Sequence, residues 1–329
     1  MTRAGTSVEQ ALPTRWLALP RRVDARVVWL TWASFVVEVV LIGTGGLVRL
    51  TASGLGCPTW PRCTAGSFTT TPEMGIHGVI EFGNRLLTFV LVVVAIATFL
   101  SVVRMRRQRP ELFWLAFAQG ISIPVQAVIG GLSVLTNLNP YVVGLHFVVS
   151  TVLVVITATL VYRTLNGPGT RVLRVPTWYR AVARITAVVV GITVLMGILT
   201  TGSGPHAGAL TTVQGTQLQR TGFALTVMQH LHAIPAYATF ALTLVLVVAA
   251  VRLHLSSRWA VLLLVVEFVQ IAVGLTQART GLPVGLVGAH MVLAGLLVSA
   301  MTALVLSTRQ SAGPGEVRAA APGTVHSAA

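Results

Sequence analysis

The chain has 329 residues, of which 54% are hydrophobic and only 9% charged, a balance too apolar for a water-soluble domain. A formal net charge of +15 would point to nucleic acid in a soluble chain, but here lysine is absent and the arginines fall between long apolar runs. That distribution follows membrane topology and excludes nucleic acid as the partner.

A bilayer core about 30 Å thick is crossed by roughly 20 apolar helical residues. Eight runs qualify in chain order: 27–48, 76–103, 112–135, 141–162, 182–200, 222–251, 259–278 and 284–306. They are rich in valine but too long for strands, and they lack the alternation of a membrane barrel. The expected fold class is all-α integral membrane with eight transmembrane helices. Eighteen arginines lie on the side of the two termini, whereas Arg49, Arg62, Arg220 and Arg279 lie on the other and Arg85 lies within a run. The positive-inside rule then makes both termini cytoplasmic in a multi-pass protein of the cell membrane. Residues 1–26 form a cytoplasmic N-terminal tail and residues 163–181 a cytoplasmic linker. The tail 307–329, rich in Ala, Gly, Pro and Ser, is expected to be disordered. Arginines ahead of the first run imitate a signal peptide, but the run is too long and has a counterpart later in the chain.

The first run leads into an outer loop that holds both cysteines, Cys57 and Cys63. In an oxidising compartment a disulfide is the simplest reading, either as a staple for the loop or as a pair reversibly reduced to pass electrons. The second run carries Glu81, an acid at membrane depth where ionisable groups mark function. Arg85, four residues on, is well placed to pair with it. Glu38 and Glu267 are the other intramembrane acids and have no partners in the internal repeat.

That repeat appears further on. Gln126, Gly130, Val143, Gly144 and His146 recur as Gln270, Gly274, Val287, Gly288 and His290, always 144 residues later. Gly46-Leu47-Val48, then Ser53-Gly54, find looser counterparts in Gly197-Ile198-Leu199, then Ser203-Gly204. Each half, 27–162 and 182–306, has four runs, an even number, so the halves are parallel repeats forming two four-helix bundles. In the second helix Glu81 and Asn84 answer to Gln229 and His232.

Counted from the cytoplasmic ends, Asn84 and His232 lie 19 residues in, and His146 and His290 lie 16 in. At 1.5 Å per residue this is roughly 24 to 29 Å up, in the outer third of the bilayer. One histidine at such depth is as readily a packing residue as a ligand. Two at one level on facing helices suit axial ligation of a haem, and His232 and His290 make that pair. His230 points to another face. Zinc would need further donors that the second half does not offer in register. In the first half Asn84 stands where the repeat expects histidine, leaving His146 as the strong ligand. His77, one turn before Glu81 and 26 residues from the cytoplasmic end, falls at or beyond the hydrocarbon edge and suits a structural or propionate-contacting role better than iron ligation.

Read together, Gly46 through Thr51, Cys57-Pro58-Thr59-Trp60-Pro61-Arg62-Cys63, Glu81-Phe82-Gly83-Asn84-Arg85, Leu145-His146, Gly202 through Gly208, Leu231-His232-Ala233 and Ala289-His290 resemble the haem A synthase family. The resemblance covers nearly the whole chain apart from its tails. It implies an oxidoreductase that oxidises a methyl substituent of haem O to a formyl group, making haem A for cytochrome oxidase. It implies a resident haem b on His232 and His290 in the C-terminal half, and a substrate haem O in the N-terminal half near Glu81, Asn84, Arg85 and His146. Glu81 is then the catalytic acid, and Arg49, Arg85 or Arg220 meets haem propionates. The family's second helix usually reads Glu-x-x-His-Arg, which Asn84 breaks here, and the second-half cysteine pair of many members is absent. The partners implied are haem O synthase and cytochrome oxidase assembly, with a homo-oligomer compatible. Two other readings fit parts of the sequence. One is a two-haem b-type electron-transfer protein. The other is a transporter, for which Pro124 and Pro235 break helices but at unrelated sites.

Overall fold

Backbone amides in lipid have no water to bond, so an apolar run of this length closes its hydrogen bonds within itself as a helix. The computed structural model describes residues 19–311. Among the described residues, eight helices are long and apolar enough to cross a membrane: α1 Ala25–Leu50, α2 Gly75–Val102, α3 Pro110–Leu135, α4 Pro140–Leu165, α5 Thr177–Ser203, α6 Leu225–Arg252, α7 Arg258–Arg279 and α8 Val284–Ser307. The expected runs are all present; most agree within two residues at each end, α4 and α5 reach further, and α6 begins at Leu225 and not at 222.

Local chemistry fixes several starts. The Asp24 side chain accepts from the Val27 amide, satisfying a donor that the first turn leaves unpaired. A bond from Arg26 holds the Asp24 carboxyl below the usual carboxylate range. Pro110 and Pro140 open α3 and α4, where a missing N–H costs nothing. Pro124 and Pro235 lie inside α3 and α6, which continue through them.

Helices α1 and α2, α2 and α3, α3 and α4, and α4 and α1 are packed in contact, as are α5 and α6, α6 and α7, α7 and α8, and α8 and α5. Contacts of α1 and α4 with α8, and of α4 with α5, join these sets. Besides a small cluster of Leu91, Ala95 and Ile123 between α2 and α3, two larger apolar cores lie toward the end of the chain termini. One comprises Val27, Val102, Met105, Leu112, Ala116 and Leu160; the other includes Tyr179, Leu246, Leu263, Met301 and Leu304. Hydroxyl contacts such as Ser34 with Thr98 (2.9 Å) bind helices together in place of the hydrophobic effect, which lipid does not supply.

The segment after α8 departs from the expected disorder. Arg309–Ser311 forms an antiparallel strand with Arg171–Leu173 of the linker, Arg171 opposite Ser311, and the Arg174 amide donates to Thr308 (3.0 Å). Polar composition hid this pairing, because three backbone rungs need no apolar pattern. The rest of the expected tail, and most of the N-terminal one, lie outside the described residues.

Candidate functional site

Away from the two cores the helices enclose a cavity of about 1240 Å³, lined from both halves and including Glu81, Asn84, His146, His232 and His290. On α6, the Nδ1–H of His232 donates to the carbonyl of Thr193 on α5 (3.0 Å). That fixes the ring and leaves Nε2 as the nitrogen available to a metal. His290 on α8 faces it, with ring centroids 6.2 Å apart and planes at 76°. A metal about 2 Å from one nitrogen of each ring sets the centroids roughly 6 Å apart, so the pair fits two axial positions of one iron.

Glycine makes room for each imidazole. A Cβ at Gly197 would stand 3.0 Å from Cε1 of His232, one at Gly274 3.0 Å from Cε1 of His290, and one at Gly130 3.2 Å from Cε1 of His146. The amides of Gln126 and Gln270 donate to the backbone carbonyls of His146 (3.3 Å) and His290 (3.1 Å). Nδ1 of both these histidines is buried without a partner among the described residues. Among the described residues no three His, Cys, Asp or Glu side chains converge, so a tetrahedral zinc centre has no protein donor set here. A planar macrocycle, which brings four of its own ligands, needs only what the facing histidines offer.

The first half differs around Asn84. Its Oδ1 accepts from Thr44 Oγ1 of α1 (2.7 Å), which engages the amide with the neighbouring helix. His77 does not replace it: its Nδ1 bonds Ser53 Oγ (2.9 Å), and it is not among the cavity-lining residues. Glu81 is 5% exposed and uses both oxygens, one for Arg85 (2.5 Å) and one for the Cys57 amide (2.7 Å). Arg85 also donates to the carbonyls of Cys57 and Thr59 (both 3.3 Å). The pair thus faces the cavity while gripping the outer loop, whose Cys57 and Cys63 form a disulfide.

From that loop Trp60 reaches the cavity wall and lies flat against Gly131 of α3, where a Cβ would come within 2.4 Å of the indole. A rigid indole cannot step aside, so Gly131→Ala is expected to cost on the order of 1 to 3 kcal/mol. Thermal unfolding in detergent, with Gly120→Ala in open space as the control, measures it.

The two outer arginines expected to meet propionates, Arg49 and Arg220, part company. Arg49 lines the cavity and donates across to the carbonyls of His206 (2.8 Å) and Thr201 (3.1 Å) in the second half. Arg220 is not among the lining residues; its guanidinium holds the carbonyls of Gly204 and Pro205 (2.8 Å for the latter). Sequence reasoning missed Trp60, the Thr193 carbonyl and the purpose of the glycines. The recurring Gln-x-x-x-Gly of 126–130 and 270–274 was the available signal for the last.

Residues 28–302, from α1 into α8, match the cytochrome oxidase assembly protein family, COX15-CtaA. The chain belongs to the cytochrome oxidase assembly protein family. Among relatives of known name it is similar to the heme A synthase of Bacillus pumilus (strain SAFR-032), 37% identical over 36% of this chain and 38% of that protein. It is also similar to the heme A synthase of Geobacillus kaustophilus (strain HTA426), 27% identical over 38% of each chain, and to that of Bacillus cereus (strain G9842), 25% identical over 42% of each. The aligned stretches thus span about two fifths of these relatives' length. Membership of the cytochrome oxidase assembly protein family extends over the whole cavity, because every helix that lines it falls within the matched residues.

Proposed function

We propose that this protein is a haem A synthase, oxidising a methyl substituent of haem O to a formyl group and so making haem A for cytochrome oxidase. The observation that carries the reading is the unequal pair of residue sets in one cavity: two facing imidazoles in the second half, and His146 with an asparagine held by Thr44 in the first. Two strong ligands suit a cofactor that stays, and one suits a substrate that must leave.

In this reading the halves are parallel repeats, supported by the matching helix contacts and by the shared glutamine-to-histidine bonds, and both termini are cytoplasmic. His232 and His290 would hold a resident haem b, which when bound would supply a one-electron carrier. His146 binds the substrate iron. Asn84, held by Thr44, leaves the position opposite His146 without a strong ligand. Converting a methyl to a formyl group takes up one oxygen atom, from water, and gives up four electrons, to an external electron acceptor of the membrane, with four protons; Glu81 is the carboxylate on the cavity wall that receives these protons in turn. Arg85 keeps that carboxylate in place, and Arg49 offers charge to a propionate. Arg220 serves the same end indirectly, by shaping the loop under Arg49. The Cys57–Cys63 disulfide braces the loop that Glu81 and Arg85 hold, and its reversible reduction would alter that grip. Haem O synthase is the natural source of substrate, cytochrome oxidase assembly the destination, and self-association is compatible.

The test is to express the chain with a haem O synthase in cells that lack haem A, then extract and separate the haems. Haem A is expected with the intact chain and absent with His146→Ala. Bound haem B with no conversion would overturn the synthase reading in favour of electron transfer, and no bound haem would overturn both.

A further inference from the structure

In the first half the cavity ends on a floor to which all four helices contribute: Glu38 of α1, Leu91 of α2, Ile123 of α3 and Leu153 of α4 line it. Each stands 11 to 13 residues from the end of its helix nearest the chain termini, so the four share one level. His146, 19 residues from the same end of α4, sits roughly 10 Å above them at 1.5 Å per residue. Three of the four are aliphatic, and the fourth is an acid.

That acid is without a partner. Glu38 is 4% exposed and takes part in none of the ion pairs among the described residues. Its Oε1 is buried with no hydrogen-bond partner among the described residues, which leaves Oε2 as the oxygen that meets the cavity. Ser34, one turn below, is bonded to Thr98 (2.9 Å). The other two acids on the cavity wall each have a donor, Glu81 in Arg85 and the Cys57 amide, Glu267 in Thr243 (2.7 Å). A buried carboxyl left unmet is costly, and at membrane depth it marks function, so the donor for Glu38 arrives with a guest.

Helix α1 shows the shape of that guest. Arg49 also lines the cavity, three turns after Glu38, hence on nearly the same face and roughly 16 Å away. Between them Gly45 lines the cavity too, and a Cβ on it would meet nothing within 4 Å. A cation at one end, an acid at the other and bare backbone between them suit a flat molecule with anionic groups on one rim and a hydroxyl on the opposite rim. Haem O has this layout, its propionates standing opposite the hydroxyl at the root of its long tail.

We propose that Glu38 accepts a hydrogen bond from that hydroxyl and so selects haem O over a haem that lacks it. The inference rests on the synthase reading, with the substrate iron on His146, and adds to it the means by which the site tells its substrate from haem b. A haem with a vinyl group at that position leaves the carboxyl unmet, and a site built to bond a hydroxyl penalises the analogue without one.

Haematohaem and mesohaem isolate the hydroxyl, because they differ only in bearing hydroxyethyl or ethyl groups on the rim opposite the propionates and neither has the tail. Each is titrated into the full-length protein holding its resident haem, in neutral detergent, and followed by the absorbance change on binding. The ratio of haematohaem to mesohaem affinity is expected to fall about tenfold in Glu38→Leu, through haematohaem alone, with the unchanged mesohaem affinity showing that the site is intact. Glu38→Gln, whose amide oxygen still accepts, is expected to keep most of the wild-type ratio. His146→Ala is expected to weaken both haems equally. A ratio unchanged in Glu38→Leu overturns the proposal and leaves the synthase reading standing. Affinities for both haems that His146→Ala does not move overturn that reading, and the proposal with it.

Discussion

Protein purified with His232→Ala or His290→Ala is expected to lose its b-type absorbance, with haem content reduced by two orders of magnitude or more at equal protein. Losing even a group that only orients a metal ligand costs about 10 to 100-fold in affinity, and here a ligand itself goes. The alanine leaves nothing in its place: Gly197 and Gly274 back the two rings with no side chain of their own. His146→Ala, in the other half, is expected to leave that absorbance intact while abolishing haem O turnover. The pyridine haemochrome assay on the three variants reads the difference. Full b-type absorbance in both second-half variants would put the cofactor on other residues.

The second large effect is expected at Glu81. Its two oxygens satisfy Arg85 and the Cys57 amide, so the proposed function superimposes proton acceptance on a carboxylate that already braces the loop. Glu81→Gln separates them. The amide oxygen still accepts from the Cys57 N–H, and Arg85, losing its carboxylate, keeps the carbonyls of Cys57 and Thr59, so the melting temperature is expected to fall less than in Glu81→Ala. The loss of a proton acceptor is expected to lower haem A formation by about 10² to 10⁴-fold. Glu81→Ala removes both functions and is expected to lose stability as well, since it strands a buried amide and a guanidinium. A Gln variant that still makes haem A at near wild-type rate would reduce Glu81 to a brace.

The helices were legible because a bilayer demands a long apolar run, and that demand is written residue by residue from Val27 to Leu306. The histidines were legible for a different reason: polar side chains at equal depth, recurring at a fixed interval, stand out against valine and leucine. What resisted reading was anything made by backbone or by contact across the chain. The Thr193 carbonyl that orients His232 belongs to a residue whose identity hardly matters to the bond. Trp60 lodging on Gly131 joins residues with no shared pattern. Arg309–Ser311 pairs with the linker through main-chain groups alone. Arg220 looked equivalent to Arg49 as a lone outer arginine, yet only Arg49 reaches the cavity wall, because the loop after α5 wraps the Arg220 guanidinium around its own carbonyls.

Arg49 is one of several ties among the outer loops. The Gly54 amide donates to Gly208 (2.7 Å), the Asn139 amide to Gln219 (2.8 Å), the Val213 amide to Asn137 (3.0 Å), and Tyr141 Oη to Thr221 (3.2 Å). Together they thatch the cavity with strands of both halves, and a flat macrocycle descending from the aqueous side would have to tear several of them at once. The flank between α2 and α3 is built otherwise: there Phe89 both lines the cavity and stands 67% exposed where lipid would lie. For the haem O of the proposed function, with its long apolar tail, this side wall offers an approach from lipid that the tied loops do not.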